Sequence, residues 1–223
     1  IHVHGHISYI RNFRRVYSNM RLDAALQQAV ERLSPRSESP RLDAELLLCR
    51  TIDMPRSYLF AHPEDVLDDR TLERFDTLVE RRAGGEPMAY ITGTKEFWSL
   101  DLLVSPATLI PRPETELLVD LALRESPRRA EWQILDLGAG SGAIAIALAK
   151  ERPLCTITGV DISIGALRIA RENARQLSLP NIRFLQGDWT APVCDLSFDV
   201  IVSNPPYVRA DDDALGMLQF EPQ

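Results

Sequence analysis

The chain has 223 residues, 45% hydrophobic and 26% charged, with a formal net charge of −7. These totals suit a globular protein of one large or two small domains. They exclude a membrane-spanning helix, since no apolar run reaches the ~18–20 residues that one needs, and an acidic body argues against a general nucleic-acid binder, which carries a basic face.

The first 19 residues hold Arg11, Arg14, Arg15 and no acid, which leaves −10 for residues 20–223. His2, His4 and His6 alternate there. They read either as a metal site or as part of a non-native leader (1–19) before a start at Met20, and the second reading, with no metal, is adopted. The stretch lacks the apolar core of a signal peptide. Cys49, Cys155 and Cys194 form no Cys-x-x-Cys pair, which predicts reduced core thiols in a cytoplasmic protein.

From Met20 the pattern is helical. Leu22, Ala25, Ala29 and Leu33 recur at three- and four-residue steps. Ser39 is placed to cap a helix starting at Pro40. Pro55 interrupts, Tyr58-Leu59-Phe60 forms a short helix, and Asp68 to Arg82 forms an amphipathic one that stops at Gly84-Gly85. Residues 20–84 therefore read as a small helical bundle without a catalytic constellation. Residues 85–112 read as a β-hairpin linker, because aromatic and β-branched residues flank Thr92-Gly93-Thr94. Pro113 then opens a helix through Leu117, Leu118 and Leu121, with Glu114 and Glu116 at its positive end. Arg112 and Thr115 serve either a rigid joint between domains or the face of a cofactor, and the pattern leaves both open.

From Trp132 strands and helices alternate. Strands are predicted at 133–137, 156–161, 182–185 and 198–202, and helices at 143–150 and 164–177. Alternation of this kind implies right-handed crossovers and a parallel, doubly wound α/β sheet. The first strand runs into Gly138-Ala139-Gly140-Ser141-Gly142, whose glycines let a ligand approach the backbone at a helix N-terminus. Asp161 ends the second strand, 19 residues past Gly142. Its carboxylate suits the two hydroxyls of a ribose; alone, it could equally cap the next helix. Together these features indicate a nucleoside-containing cofactor. The spacing Gly-x-Gly-x-Gly departs from the dinucleotide Gly-x-Gly-x-x-Gly and disfavours a dehydrogenase. The preceding Asp136 would repel a pyrophosphate but attract an ammonium, which favours S-adenosylmethionine. Asp188 and Trp189 follow the third strand and suit an adenine, although Trp189 also reads as a core residue.

The fourth strand meets Asn204-Pro205-Pro206-Tyr207. Two prolines end it, since neither donates a ladder hydrogen bond. They hold Asn204 extended at a strand's carboxyl end. A side-chain amide, two carbonyls and an aromatic face suit a small planar group with N–H donors.

Asp136 to Gly142 resembles the cofactor motif of class I methyltransferases. Asn204 to Tyr207 resembles the motif of the branch that methylates planar amide or exocyclic amine nitrogens. The stretches Gly85-Glu86-Pro87-x-Ala89-Tyr90-Ile91-x-Gly93, Glu96-Phe97 and Leu109 to Glu116 are similar to the HemK/PrmC family. That resemblance runs from about Met20 to Pro222. It implies a Rossmann-like, S-adenosylmethionine-dependent catalytic domain (113–223), a hairpin linker and an N-terminal helical domain that engages the substrate. The substrate it implies is the glutamine of the Gly-Gly-Gln loop in class I peptide chain release factors, methylated at N5, with no direct nucleic-acid or membrane partner. Asn204, Pro205, Pro206 and Tyr207 would hold the glutamine amide. A DNA amine methyltransferase and a non-catalytic binder are the competing readings. The chain ends at Gln223, soon after the motif, so a fragment with an apolar edge strand is expected.

Overall fold

A computed structural model describes residues 20–205 and 220–222. His2, His4, His6 and the leader reading of 1–19 lie outside the described residues, as do Pro206 and Tyr207. The chain forms two compact units that divide between Thr92 and Gly93.

The first unit is helical. It comprises α1 (Leu22–Leu33), α2 (Pro40–Ile52), α3 (Arg56–Ala61), α4 (Asp69–Ala83) and α5 (Met88–Thr92). A two-residue pair, β1 (Met20–Arg21) with β2 (Val66–Leu67), closes it antiparallel. The periodic residues of α1 are buried with Leu47, Leu48, Phe75 and Val79 in one core. Asp68 caps α4 by accepting the Thr71 N–H at 2.7 Å. Ser39 precedes α2 as predicted, but its side chain makes no capping bond.

Two acids are buried in this unit, each paired with arginine. Asp43 accepts from Arg82 at 2.7 Å, and Glu45 accepts from Arg41 and Arg56 at 2.6 Å each. Burial alone would raise the Glu45 carboxyl; the bonds from Arg41 and Arg56 outweigh it and hold the group below its ordinary value.

The linker reading needs correction. Met88–Thr92 is helix, not strand, and belongs to the first unit. Pro87 starts it, accepting the Tyr90 and Ile91 N–H groups, and Tyr90 and Ile91 are buried. Burial of that face overrides the local β preference of Tyr and Ile. The hairpin lies further on, as β3 (Thr94–Phe97) and β4 (Leu100–Leu103), and belongs to the second unit. Its turn is Trp98-Ser99, both at positive φ (53° and 55°), the conformation that matches strand twist in a two-residue turn.

A 3₁₀ turn (Pro113–Thr115) leads into α6 (Glu116–Glu125). The sheet follows as β5 (Gln133–Leu137), β6 (Thr156–Asp161), β7 (Ile182–Gln186) and β8 (Val200–Ser203), with α7 (Ala143–Glu151) and α8 (Ile164–Gln176) as crossovers. All pairings are parallel, in the order β7-β6-β5-β8. Every residue of α7 from Ala143 to Ala149 is buried, which is why its run shows little polar face. Leu135, Leu137, Val160 and Val193 form a second cluster.

The cysteines are free. Cys155 is buried and Cys49 half-buried, but Cys194 is exposed, against the core reading. It ends a 3₁₀ turn (Ala191–Val193) in which only Val193 is buried. Among the described residues, no helix is long and apolar enough to cross a membrane.

Candidate active site

The strand order sets the location. β6 and β7 extend the sheet to one side of β5, and β8 lies on the other. The carboxyl ends of β5 and β8 flank the topological switch point, where open α/β sheets bind ligands. Leu137 and Ser203 are register partners there, so Gly138 and Asn204 leave adjacent strand ends.

The five residues after β5 do not all face the same way. The Gly138 and Ala139 N–H groups both donate to the Val160 carbonyl, at 2.9 and 3.0 Å. A Cβ added to Gly138 or Gly140 would meet nothing within 4 Å. These two glycines border open space. Gly142 differs: at φ 82° its Cβ would sit 3.0 Å from Ile146 Cδ1 and Phe184 Cζ. It is a packing glycine that brings α7 against the sheet, and Ala139 and Ser141 are buried beside it. Gly142 therefore departs from the expectation that all three glycines keep the backbone clear: a side chain there would meet protein. Asn173 holds the turn from α8. Its Nδ2 donates to the Ser141 carbonyl (2.9 Å) and the Leu103 carbonyl (3.0 Å), and its Oδ1 accepts the Leu103 N–H (2.7 Å). No local signal marks this residue within Arg171-Glu172-Asn173.

Two acids border the turn. Asp161 Oδ2 accepts the Gly140 N–H and Oδ1 the Ser163 N–H, each at 2.8 Å. The helix cap is Ser163, whose Oγ accepts the Ala166 N–H, so the capping reading of Asp161 falls. Each Asp161 oxygen keeps acceptor capacity for a hydroxyl. Asp136 is 1% exposed. Its Oδ2 accepts the Ala145 N–H at 3.1 Å, while Oδ1 is buried with no partner. Burial pushes this carboxyl up to about 7; the Ala145 N–H opposes that and the charge of Asp161 adds to it. A buried oxygen without a donor is an unmet demand, and an ammonium on a ligand beside the turn would meet it.

The ends of β6 and β7 are tied together. The Gly187 N–H donates to the Asp161 carbonyl (3.1 Å), and Gln186 Nε2 donates to the Ile162 carbonyl (3.2 Å). Asp188 follows and is exposed. Trp189 is 56% exposed, with φ at 45°. It is not a core residue; the loop holds its ring outward. Ile162, overlooked in the sequence, is 69% exposed directly after Asp161. An apolar residue next to a strand-ending acid is the signal that could have found it.

Asn204 is half-buried, and its Nδ2 donates to Thr115 Oγ1 at 3.2 Å. Pro205 is exposed beside it. Arg112 donates to Glu221 Oε1 at 2.5 Å, and the Glu116 carboxylate accepts the Trp98 N–H at 2.8 Å. The bonds of the Arg112–Glu116 stretch thus join segments within the second unit, not one domain to another. They grip the hairpin turn, the end of β8 and the segment around Glu221.

Residues 24–93 match the PrmC N-terminal domain family and residues 113–219 the methyltransferase small domain family. The release factor glutamine methyltransferase of Vibrio cholerae is 50% identical over 206 residues, covering 91% of this chain and 72% of that protein. Those of Aliivibrio fischeri and Escherichia coli are each 48% identical. They cover 92% and 88% of this chain, and 73% and 71% of their own lengths.

Proposed function

The chain belongs to the family of release factor glutamine methyltransferases, and from that premise we propose how its own residues carry the reaction. It is an S-adenosylmethionine-dependent enzyme that methylates the side-chain amide nitrogen, N5, of a release-factor glutamine. The acceptor in this reading is the glutamine of the Gly-Gly-Gln loop, and the setting is the cytoplasm. A release factor is the macromolecular partner, with no direct nucleic-acid contact. Nothing favours the DNA amine methyltransferase reading.

The residues fit the cofactor. Open space beside Gly138 and Gly140 admits its amino-acid end, and the unpartnered Asp136 Oδ1 suits its ammonium. Asp161 is assigned to the ribose, with Ala139, Ser141 and Gly142 contributing backbone and packing. Asp188, Trp189 and Ile162 are assigned to adenine. When bound, S-adenosylmethionine supplies a methyl group already activated for displacement.

A glutamine amide nitrogen is a poor nucleophile, because its lone pair is delocalised into the carbonyl. Asn204 Oδ1 and the Pro205 carbonyl accept its two N–H bonds. This orients the nitrogen and stabilises the positive charge developing on it. Pro206 and Tyr207 are assigned to the wall against the amide plane. With the nitrogen so held, the cofactor would supply the methyl group and the amide would give up one proton, to water.

The observation that carries this reading is the switch-point placement of Asn204 beside the glycine turn. In labelled methyl transfer to a release factor, Asn204→Ala is expected to lose most activity, on the order of 100-fold, with cofactor affinity kept. Near-normal transfer would sink the mechanism. A control release factor lacking the loop glutamine, and a DNA control, are expected to take no label. A protein that binds cofactor but transfers nothing to the intact factor would be the non-catalytic binder instead.

A further inference from the structure

We infer that Thr115 is a positioning residue that holds the Asn204 amide in place for the substrate; this rests on the proposed role of Asn204. An asparagine amide carries a donor end and an acceptor end of nearly equal shape. The incoming glutamine nitrogen brings two N–H donors, so only the Asn204 oxygen can receive it. Presented the other way, Asn204 would set NH₂ against NH₂.

Thr115 supplies the anchor. Its Oγ1 accepts the Asn204 Nδ2–H at 3.2 Å, a bond that does not use Oδ1. The hydroxyl sits on a held platform. Thr115 is 9% exposed, its N–H donates to the Arg112 carbonyl, and the 3₁₀ turn runs into α6, whose Val119 and Ala122 are buried in the core. The neighbouring Glu116 is fixed through the Trp98 N–H. Asn204 itself extends from β8 just before Pro205, which restricts its backbone to extended conformations. Backbone and side chain of Asn204 are thus fixed by separate devices, and only the second depends on Thr115.

The test is a cycle of Thr115→Val, Thr115→Ser and Asn204→Ala, with kcat, KM for the release factor and cofactor Kd measured for each, and thermal unfolding alongside. Thr115→Val keeps the shape and removes the hydroxyl. It is expected to lower kcat roughly tenfold, the worth of about one hydrogen bond, with KM, cofactor Kd and melting temperature nearly unchanged. Thr115→Ser is expected to restore most of the loss. On the Asn204→Ala background, Thr115→Val is expected to cost nothing further, since the amide it orients is gone. Unchanged kcat in Thr115→Val, or losses that multiply in the double variant, would overturn the inference while leaving Asn204 in place. A loss that tracks melting temperature in both Thr115 variants would also overturn it. Normal transfer by Asn204→Ala would instead remove the reading beneath it.

Discussion

Asp136→Asn separates a buried titrating acid from a merely structural one. In the free protein the Asp136 carboxyl is pushed up to about 7 from an ordinary 3.8, chiefly by burial. The folded state therefore keeps this proton while the unfolded chain releases it. Stability from this group is full below about pH 4 and is lost as pH rises to about 7, a total of about 4 kcal/mol at about 1.4 kcal/mol per pH unit. Asparagine has nearly the same shape and does not titrate; its oxygen can still accept the Ala145 N–H. Near pH 4 the neutral acid leaves one buried donor unpaired and the amide two, so the variant is expected to be the less stable by about 1–2 kcal/mol. At pH 8 the variant is expected to be more stable by about 2–4 kcal/mol. Urea unfolding from pH 4.5 to 8.5 without cofactor reads the difference directly, and other titrating groups cancel in it. An ammonium beside Asp136 favours its ionised form, so wild-type cofactor affinity is expected to rise from pH 6 to 8 and the variant's to be weaker and flat. A stability difference that does not change with pH, or a variant less stable at pH 8, would refute the burial argument.

Four further substitutions address other parts of the molecule. Asp161→Ala removes the proposed ribose acceptor and the bonds to the Gly140 and Ser163 N–H groups; calorimetry is expected to show cofactor binding weaker by roughly 2–3 kcal/mol, and unchanged affinity would count against the assignment. Gly142→Ala places a Cβ at φ 82° against Ile146 and Phe184 and is expected to cost about 1–3 kcal/mol in unfolding free energy. Gly138→Ala, with open space around its Cβ, is expected to cost less stability but more cofactor affinity, and a reversed order would contradict the two-sided turn. Glu45→Gln removes a 2%-exposed carboxylate held by Arg41 and Arg56; because that carboxyl lies below its ordinary value, its stabilisation is present above about pH 4.5 and fades below it. The variant is expected to lose about 1–2 kcal/mol at pH 7 and less near pH 3, and a constant loss across that range would exclude the ion pair as its source.

The alternation of strands with helices was legible because burial on both faces of a parallel sheet writes apolar runs into the chain, and crossover helices space them. The bounds of β5 and β6 agree with the reading from sequence to the residue. The hairpin was displaced because residues 88–92 carry strand-like side chains, yet Tyr90 and Ile91 find their burial in the helical unit. The glycine turn after β5 was legible from its motif. Which glycines border open space and which face Phe184 was not, because the spacing of glycines says nothing about what stands opposite each one.

Local chemistry alone placed Asn204 at a strand end, put glycines and acids at the carboxyl ends of the first two sheet strands, and left the Arg112–Glu116 stretch open between two roles. What that stretch does was decided by tertiary structure: Thr115 meets Asn204 across 89 residues, and Arg112 meets Glu221 across 109. The burial that leaves Asp136 Oδ1 without a partner was decided in the same way. The physical reason is common to all three. Periodicity records which face of an element is apolar, whereas a hydrogen bond between two polar side chains, or the lack of one, depends on where distant segments come to rest.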